Sequence, residues 1–271
     1  MSHGERRDGD GDRSRRQRAQ GTRGPLDSPD SPADEHGGVG VGRTSPPIRM
    51  LEDEPVTSYQ RPSIDVTVFR DAAGEVIDYG DRWGGEMPPE DTYSVDTHPE
   101  RFAPIHAVAD ALIAHLRAAY DVDVDEGDEV AADLLHAARE VKRAVRIRPR
   151  DAASASLTFV FTDYPGVFVH AGLLHDFHFP VCGCDACDST WEAEADELER
   201  RVLAVVGGHY REHVGPGFHP WVGHSITFPD GSASGQSPGR ELPADRVRAA
   251  AHVLRRLPDG WAPWPLKQAD S

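Results

Sequence analysis

The sequence of 271 residues contains no asparagine, two lysines (Lys142 and Lys267) and three cysteines, and all three cysteines fall between positions 182 and 187. The shortage of lysine beside many arginines resembles the bias of a GC-rich bacterial genome and says nothing of mechanism. A disulfide framework is excluded by the cysteine spacing. Bridges between neighbours so close in the chain would constrain the unfolded state little. No apolar run approaches the length of about 20 residues that a membrane-spanning helix needs. Met1 to Asp12 is charged and polar with no apolar stretch after it, so no secretory leader is expected. Basic charge is short as well. The formal net charge is −17, which argues against nucleic acid as a partner, because phosphate binding needs a positive surface.

Aromatic residues are missing from positions 1–47, where Gly, Pro, Ser, Asp and Arg dominate. Such a segment cannot bury enough surface to offset its chain entropy. We therefore expect a disordered tail over 1–55 and a single folded domain over 56–271. Deleting the tail should leave thermal unfolding unchanged, and a large loss of stability in the truncated chain would reject that boundary. The basic run Arg13 to Arg18 is expected to be a solvated part of this tail. Gly37 to Thr44 imitates a phosphate-binding loop but runs into Ser45-Pro46-Pro47, without the strand before it and the helix after it that such loops need.

Past position 58 the apolar pattern becomes periodic. Ile64–Phe69 and Val76–Tyr79 flank Asp71-Ala72-Ala73-Gly74 and predict a strand pair. Thr97 and Glu100 have capping-box spacing, and Phe102, Ile105, Ala109, Leu112, Leu116 and Tyr120 predict a helix. Val130, Leu134, Ala138 and Val141 predict a second helix over 129–142. The period then shortens to two. Val145 and Ile147, then Leu157, Phe159 and Phe161, then Val167, Val169 and Ala171, predict an antiparallel meander, with Tyr164-Pro165-Gly166-Val167 as a type II turn. Ser189 and Glu192 suggest another capping box, opening a helix that stops at Gly207-Gly208. Val222–Phe228 reads as a strand, Ser232–Gly239 as a flexible loop, and Val247 to Leu257 as a last helix. Strands and helices come in runs, so the class is α+β, an antiparallel meander packed with about four helices.

Three patterns carry possible chemistry. Cys182-Gly183-Cys184-Asp185-Ala186-Cys187 contains a CxxC pair and a third thiol, and zinc suits thiolates and takes four ligands. His178 is the nearest candidate for the fourth, and His175 the next. Redox use of the CxxC and simple buried thiols are the alternatives. His209-Tyr210-Arg211-Glu212-His213 matches the H-x-x-E-H order of inverted zinc peptidases, but adjoining glycines place it at a frayed helix end. Asp121 to Gly127 resembles the start of a calcium-binding EF-hand loop but has Glu126 at the sixth position and Ala132 at the twelfth, so the closing bidentate carboxylate is missing.

Leu157-Thr158-Phe159-Val160-Phe161-Thr162-Asp163-Tyr164-Pro165-Gly166, followed by Phe179-Pro180-Val181-Cys182-Gly183-Cys184-Asp185-Ala186-Cys187-Asp188, resembles a family of uncharacterised actinobacterial proteins of unknown function. The resemblance spans about Tyr59 to Pro265. It implies a bacterial, cytoplasmic protein and brings no activity with it. The residues therefore support two readings. One is a non-enzymatic binding or interaction protein, with an unknown protein or small-molecule partner, stapled by zinc. The other is a metal- or thiol-dependent enzyme using the same cysteines or the H-x-x-E-H residues.

Overall fold

A computed structural model describes residues 58–65 and 67–268. The tail, with its basic run and its glycine-rich loop, lies outside the described residues. Three α-helices and eight strands make up the regular part, together with short 3-10 turns. In chain order these are α1 (Pro104–Ala119), β1 (Val122–Glu126), β2 (Val141–Pro149), β3 (Leu157–Thr162), β4 (Val167–Ala171), β5 (His175–Phe179), α2 (Trp191–Val206), β6 (Tyr210–Val214), β7 (Trp221–Phe228), β8 (Gly231–Pro238) and α3 (Ala244–Leu254). Strands β1 to β5 form one antiparallel meander in sequence order, and β6 to β8 form a second sheet. The fold is α+β.

The large sheet has two unlike faces. Val145, Ile147, Leu157, Phe159, Phe161, Val167, Val169, Phe177 and Phe179 alternate onto one face. They are buried together with Ile105, Leu112 and Leu116 of α1 and Leu198, Val202 and Val205 of α2. This is the main core, and it supplies most of the apolar burial that drives folding. The opposite face holds a smaller cluster, Val130, Leu134, Ala144 and Val160. Trp261 and Trp264, near the C-terminus, are buried in the main core, and the Trp264 indole donates to the Ala155 carbonyl at 2.8 Å.

The period-two reading of the meander agrees with the structure, and six local expectations do not. The helix expected over 129–142 is a 3-10 turn, Asp128–Asp133, followed by irregular chain and then β2. Val130 and Leu134 are buried as their spacing suggests, but Val141 pairs with Thr162 and joins the ladder. Sheet pairing has overridden a weak local preference. The expected strand pair over 64–79 reduces to one bridge, Arg70 with Val76, and Val68 and Val76 stay exposed. A two-stranded ribbon with no face to bury is marginal. The Ser232–Gly239 segment is strand β8 rather than a loop, in unbroken register with β7 from Phe228↔Gly231 to Trp221↔Pro238. Here the hairpin partner imposes extension on residues with almost no side chain of their own.

The Tyr164–Val167 turn is not type II. Gly166 has no positive φ, and it is close approach that requires glycine there, since a Cβ would sit 2.9 Å from the Phe179 carbonyl oxygen. Both helix caps also differ from expectation. Thr190, one residue past Ser189, accepts from the Ala193 amide at 3.2 Å and opens α2. Thr97 caps nothing. A 3-10 turn, Pro99–Phe102, leads into α1, and Thr97 serves the cysteine loop instead.

Candidate metal centre

The chain leaves β5 at Phe179 and reaches α2 at Trp191 through the cysteine loop. A single 3-10 turn, Asp185–Cys187, folds it back, with the Cys187 amide donating to the Cys184 carbonyl at 3.1 Å. This turn brings the three sulfurs together. The ligand atoms of Cys182, Cys184 and Cys187 all lie within 4.8 Å of one another, and Cys182 Sγ is 3.3 Å from Cys184 Sγ. All three are free thiols; Cys184 is buried and Cys187 exposed. Three sulfurs at Zn–S distances of about 2.3 Å in a tetrahedron stand about 3.8 Å apart. The cluster brackets that spacing, so the donors fit a tetrahedral thiophilic ion with one position left over.

Electrostatics single out Cys184. Burial pushes its thiol up, but hydrogen bonds from Cys182 and from Cys187 outweigh burial and bring it down to about 7. Hydrogen bonds with Cys182 and Cys184, then burial, raise Cys187 to about 12. Cys184 therefore gives up its proton far more readily than Cys187, and a thiolate is the form that ligates a metal cation.

The loop is clamped by a charged pair from distant parts of the chain. Arg101 is 3% exposed and Asp185 2%. The Arg101 guanidinium donates to the Gly183 carbonyl at 2.7 Å and the His98 carbonyl at 3.1 Å, and lies over the rings of Phe102 and Tyr79. Its Nη1 is 3.9 Å from the Asp185 carboxylate. Asp185 also accepts from the Thr97 amide and hydroxyl and pairs with Arg82 at 3.4 Å. Burial would raise this carboxyl, yet the Thr97 hydrogen bonds and Arg82 hold it below its ordinary value. A side chain at Gly183 would collide with the Tyr164 hydroxyl and push that ring aside.

No histidine joins the sulfurs. Among the described residues the group contains the three cysteines alone. His178 stands opposite Phe168 in the β4–β5 ladder, ring to ring at 4.6 Å, on the exposed side of β5. His175 faces the other way and stacks on His224 at 3.5 Å. Strand alternation therefore commits both imidazoles elsewhere.

The other two patterns do not assemble either. The H-x-x-E-H run is not a helix end: His209 is exposed just before strand β6, and within β6 Glu212 is buried and faces opposite to His213. Glu212 is buried and accepts from the Leu173 amide at 3.0 Å, the Leu174 amide at 2.7 Å and the Trp261 indole at 3.0 Å. Asp121 and Asp123 pair with Arg150 along edge strand β1, and Asp125 pairs with Arg148, so these carboxylates do not surround a cation. Arg101 and Asp185 were not legible as site residues, because their partners lie more than 80 positions away and no local spacing marks them.

Fold and cluster together define an α+β protein with a clamped three-thiol loop. The chain belongs to a family of unknown function, DUF6226, whose pattern matches residues 65–268. That match takes in both sheets and all three cysteines. No curated protein and no solved structure matches the chain. Among the described residues no helix is long and apolar enough to cross a membrane.

Proposed function

We propose that this is a non-enzymatic binding or interaction protein in which Cys182, Cys184 and Cys187 hold one zinc ion. The observation that carries the proposal is the convergence of the chain's three cysteine sulfurs within 4.8 Å, on a loop pinned by a buried Arg101–Asp185 pair. Bound zinc would add a rigid chelate there. Through Gly183 and Asp185 the chelate would tie the β5–α2 connection to the segment around Thr97 and Arg101. Water, a small molecule or a donor from a protein partner would take the fourth position, in place of His178 or His175.

Three protein ligands and an open position also suit catalytic zinc, which keeps a metal- or thiol-dependent enzyme as the second reading. The carboxylate within the clamp favours the first: Asp185 is engaged by Thr97, Arg82 and Arg101 and is no free general base. A cytoplasmic setting, which the family resemblance implies, would keep these thiols reduced and free to bind metal.

Thermal unfolding with added zinc and with a chelator tests the proposal. Zinc at about a hundred times its dissociation constant should stabilise the fold by about 2.7 kcal/mol, and Cys184→Ser should abolish that gain. Identical unfolding of reduced protein with zinc and with chelator would overturn it.

A further inference from the structure

The second face of the large sheet carries one polar residue from every strand at one level. The register sets Asp125 beside Arg146, Arg146 beside Thr158, Thr158 beside His170 and His170 beside Asp176. Polar groups on a covered face are costly unless they are satisfied, and this row is largely satisfied. Asp133 accepts from Arg146 Nε at 2.5 Å and Nη2 at 2.6 Å, and from the Thr158 hydroxyl at 2.6 Å. His170 Nδ1 is 2.6 Å from Asp176 Oδ1.

Arg246, from α3, lies across the row. It donates to the carbonyl oxygens of Leu173 and Leu134, both at 3.2 Å, and of Asp133, and its Nη2 is 3.1 Å from His170 Nε2. A guanidinium has no acceptor, so His170 Nε2 must accept and the ring proton sits on Nδ1, facing Asp176. Among the described residues Arg246 has three carbonyls and one neutral nitrogen as partners, and no carboxylate.

A cavity of about 390 Å³ opens at this place, lined by Arg146, Arg148, Arg246, His170, Ser156 and Asp133 among others. Its volume is that of a small-ligand pocket. Three guanidiniums line it against one carboxylate, Asp133; two more carboxylates stand behind the walls, Asp125 at 2.9 Å from Arg148 and 3.6 Å from Arg146, and Asp176 at 2.6 Å from His170. The lining itself is cationic, in a chain of net charge −17.

We propose that this cavity binds a phosphate group, free or carried on a small metabolite. A phosphate is drawn to guanidinium charge and to N–H and O–H groups left over, and among the described residues Arg246 is the one cation lining the cavity that no carboxylate neutralises. Arg246 keeps one N–H on Nη1, half-exposed Arg148 and the Ser156 hydroxyl supply the other donors, and Arg146, whose nitrogens are taken by Asp133 and Asp125, adds charge only. A tetrahedral anion can accept from several sides at once, whereas a planar carboxylate is served by a single fork. The site shares no residue with the cysteine loop and does not depend on zinc.

Calorimetry on the full chain at constant ionic strength tests this, with inorganic phosphate and glycerol 3-phosphate as probes and chloride as control. Saturable binding of at least one phosphate at one site per chain is expected. Preference for the ester would mark a metabolite as the ligand, and preference for inorganic phosphate the free ion. Arg246→Gln should weaken binding about tenfold or more. Because Arg246 also ties down three carbonyls, Arg148→Gln is the companion variant. Its side chain is half exposed, it should fold normally, and binding should still fall severalfold. No phosphate binding beyond chloride, or binding that Arg148→Gln and Arg246→Gln both leave unchanged, would overturn the proposal.

Discussion

Replacing Glu212 by alanine should lower the unfolding free energy by about 3 kcal/mol or more, measured by denaturant titration. The carboxylate is 5% exposed and is the acceptor for two consecutive amides of the β4–β5 turn and for the Trp261 indole. The variant would leave three buried donors unpaired in one place. It would also sever the tie between β6, that turn and the C-terminal segment. Glu212→Gln keeps an acceptor and should lose less. Burial raises the Glu212 carboxyl above its ordinary value, and the amide contacts only partly offset this. The native state therefore binds the proton first. That contribution is complete below the unfolded value of about 4.3 and is lost as pH rises through the raised folded value. Glu212→Gln should remove it from the pH profile of stability. An alanine variant as stable as the parent would show that the triple acceptor contributes nothing.

The second large effect is expected at Arg101. Arg101→Ala should cost about 3 kcal/mol or more, because it leaves the Gly183 and His98 carbonyls without their donor, empties a fully packed site over Phe102 and Tyr79, and takes one of two guanidiniums from the Asp185 carboxylate, which keeps Thr97 and Arg82. Arg101→Lys should recover little of this, since an ammonium lacks the planar fork that reaches two carbonyls while lying over Phe102 and Tyr79. If the clamp positions the cysteines, Arg101→Lys should also weaken zinc binding. Full stability and unchanged zinc affinity in Arg101→Lys would separate the clamp from the cluster.

Several of these features could be read from the residues alone, and the pattern of success has a physical basis. Leu157, Phe159 and Phe161 alternate over a face that is buried along its whole length, so period two was a strong signal for the meander. The α1 stripe, from Ile105 to Leu116, was equally plain. The 129–142 segment misled because Val130 and Leu134 do bury, though on an irregular crossing and not on a helix. β8 was hidden because its extension comes from pairing with β7 and not from its own side chains.

At the site, the cysteines were legible from proximity in sequence. The fourth ligand was misjudged, since nearness along the chain says little about direction on a strand. His178 is four residues from Cys182 and yet faces Phe168. The cross-strand row under Arg246 had no linear signature at all. It exists only once the register of five strands is known.

The central claim is that the three cysteines act together on one ion. Metal content and accessible thiols, measured together on full-length protein purified under reducing conditions and equilibrated with zinc, test it most directly. The account predicts one zinc per chain with all three thiols shielded from a thiol reagent, and loss of both metal and shielding in Cys184→Ser. A chain that keeps no zinc and exposes three freely reactive thiols would contradict it.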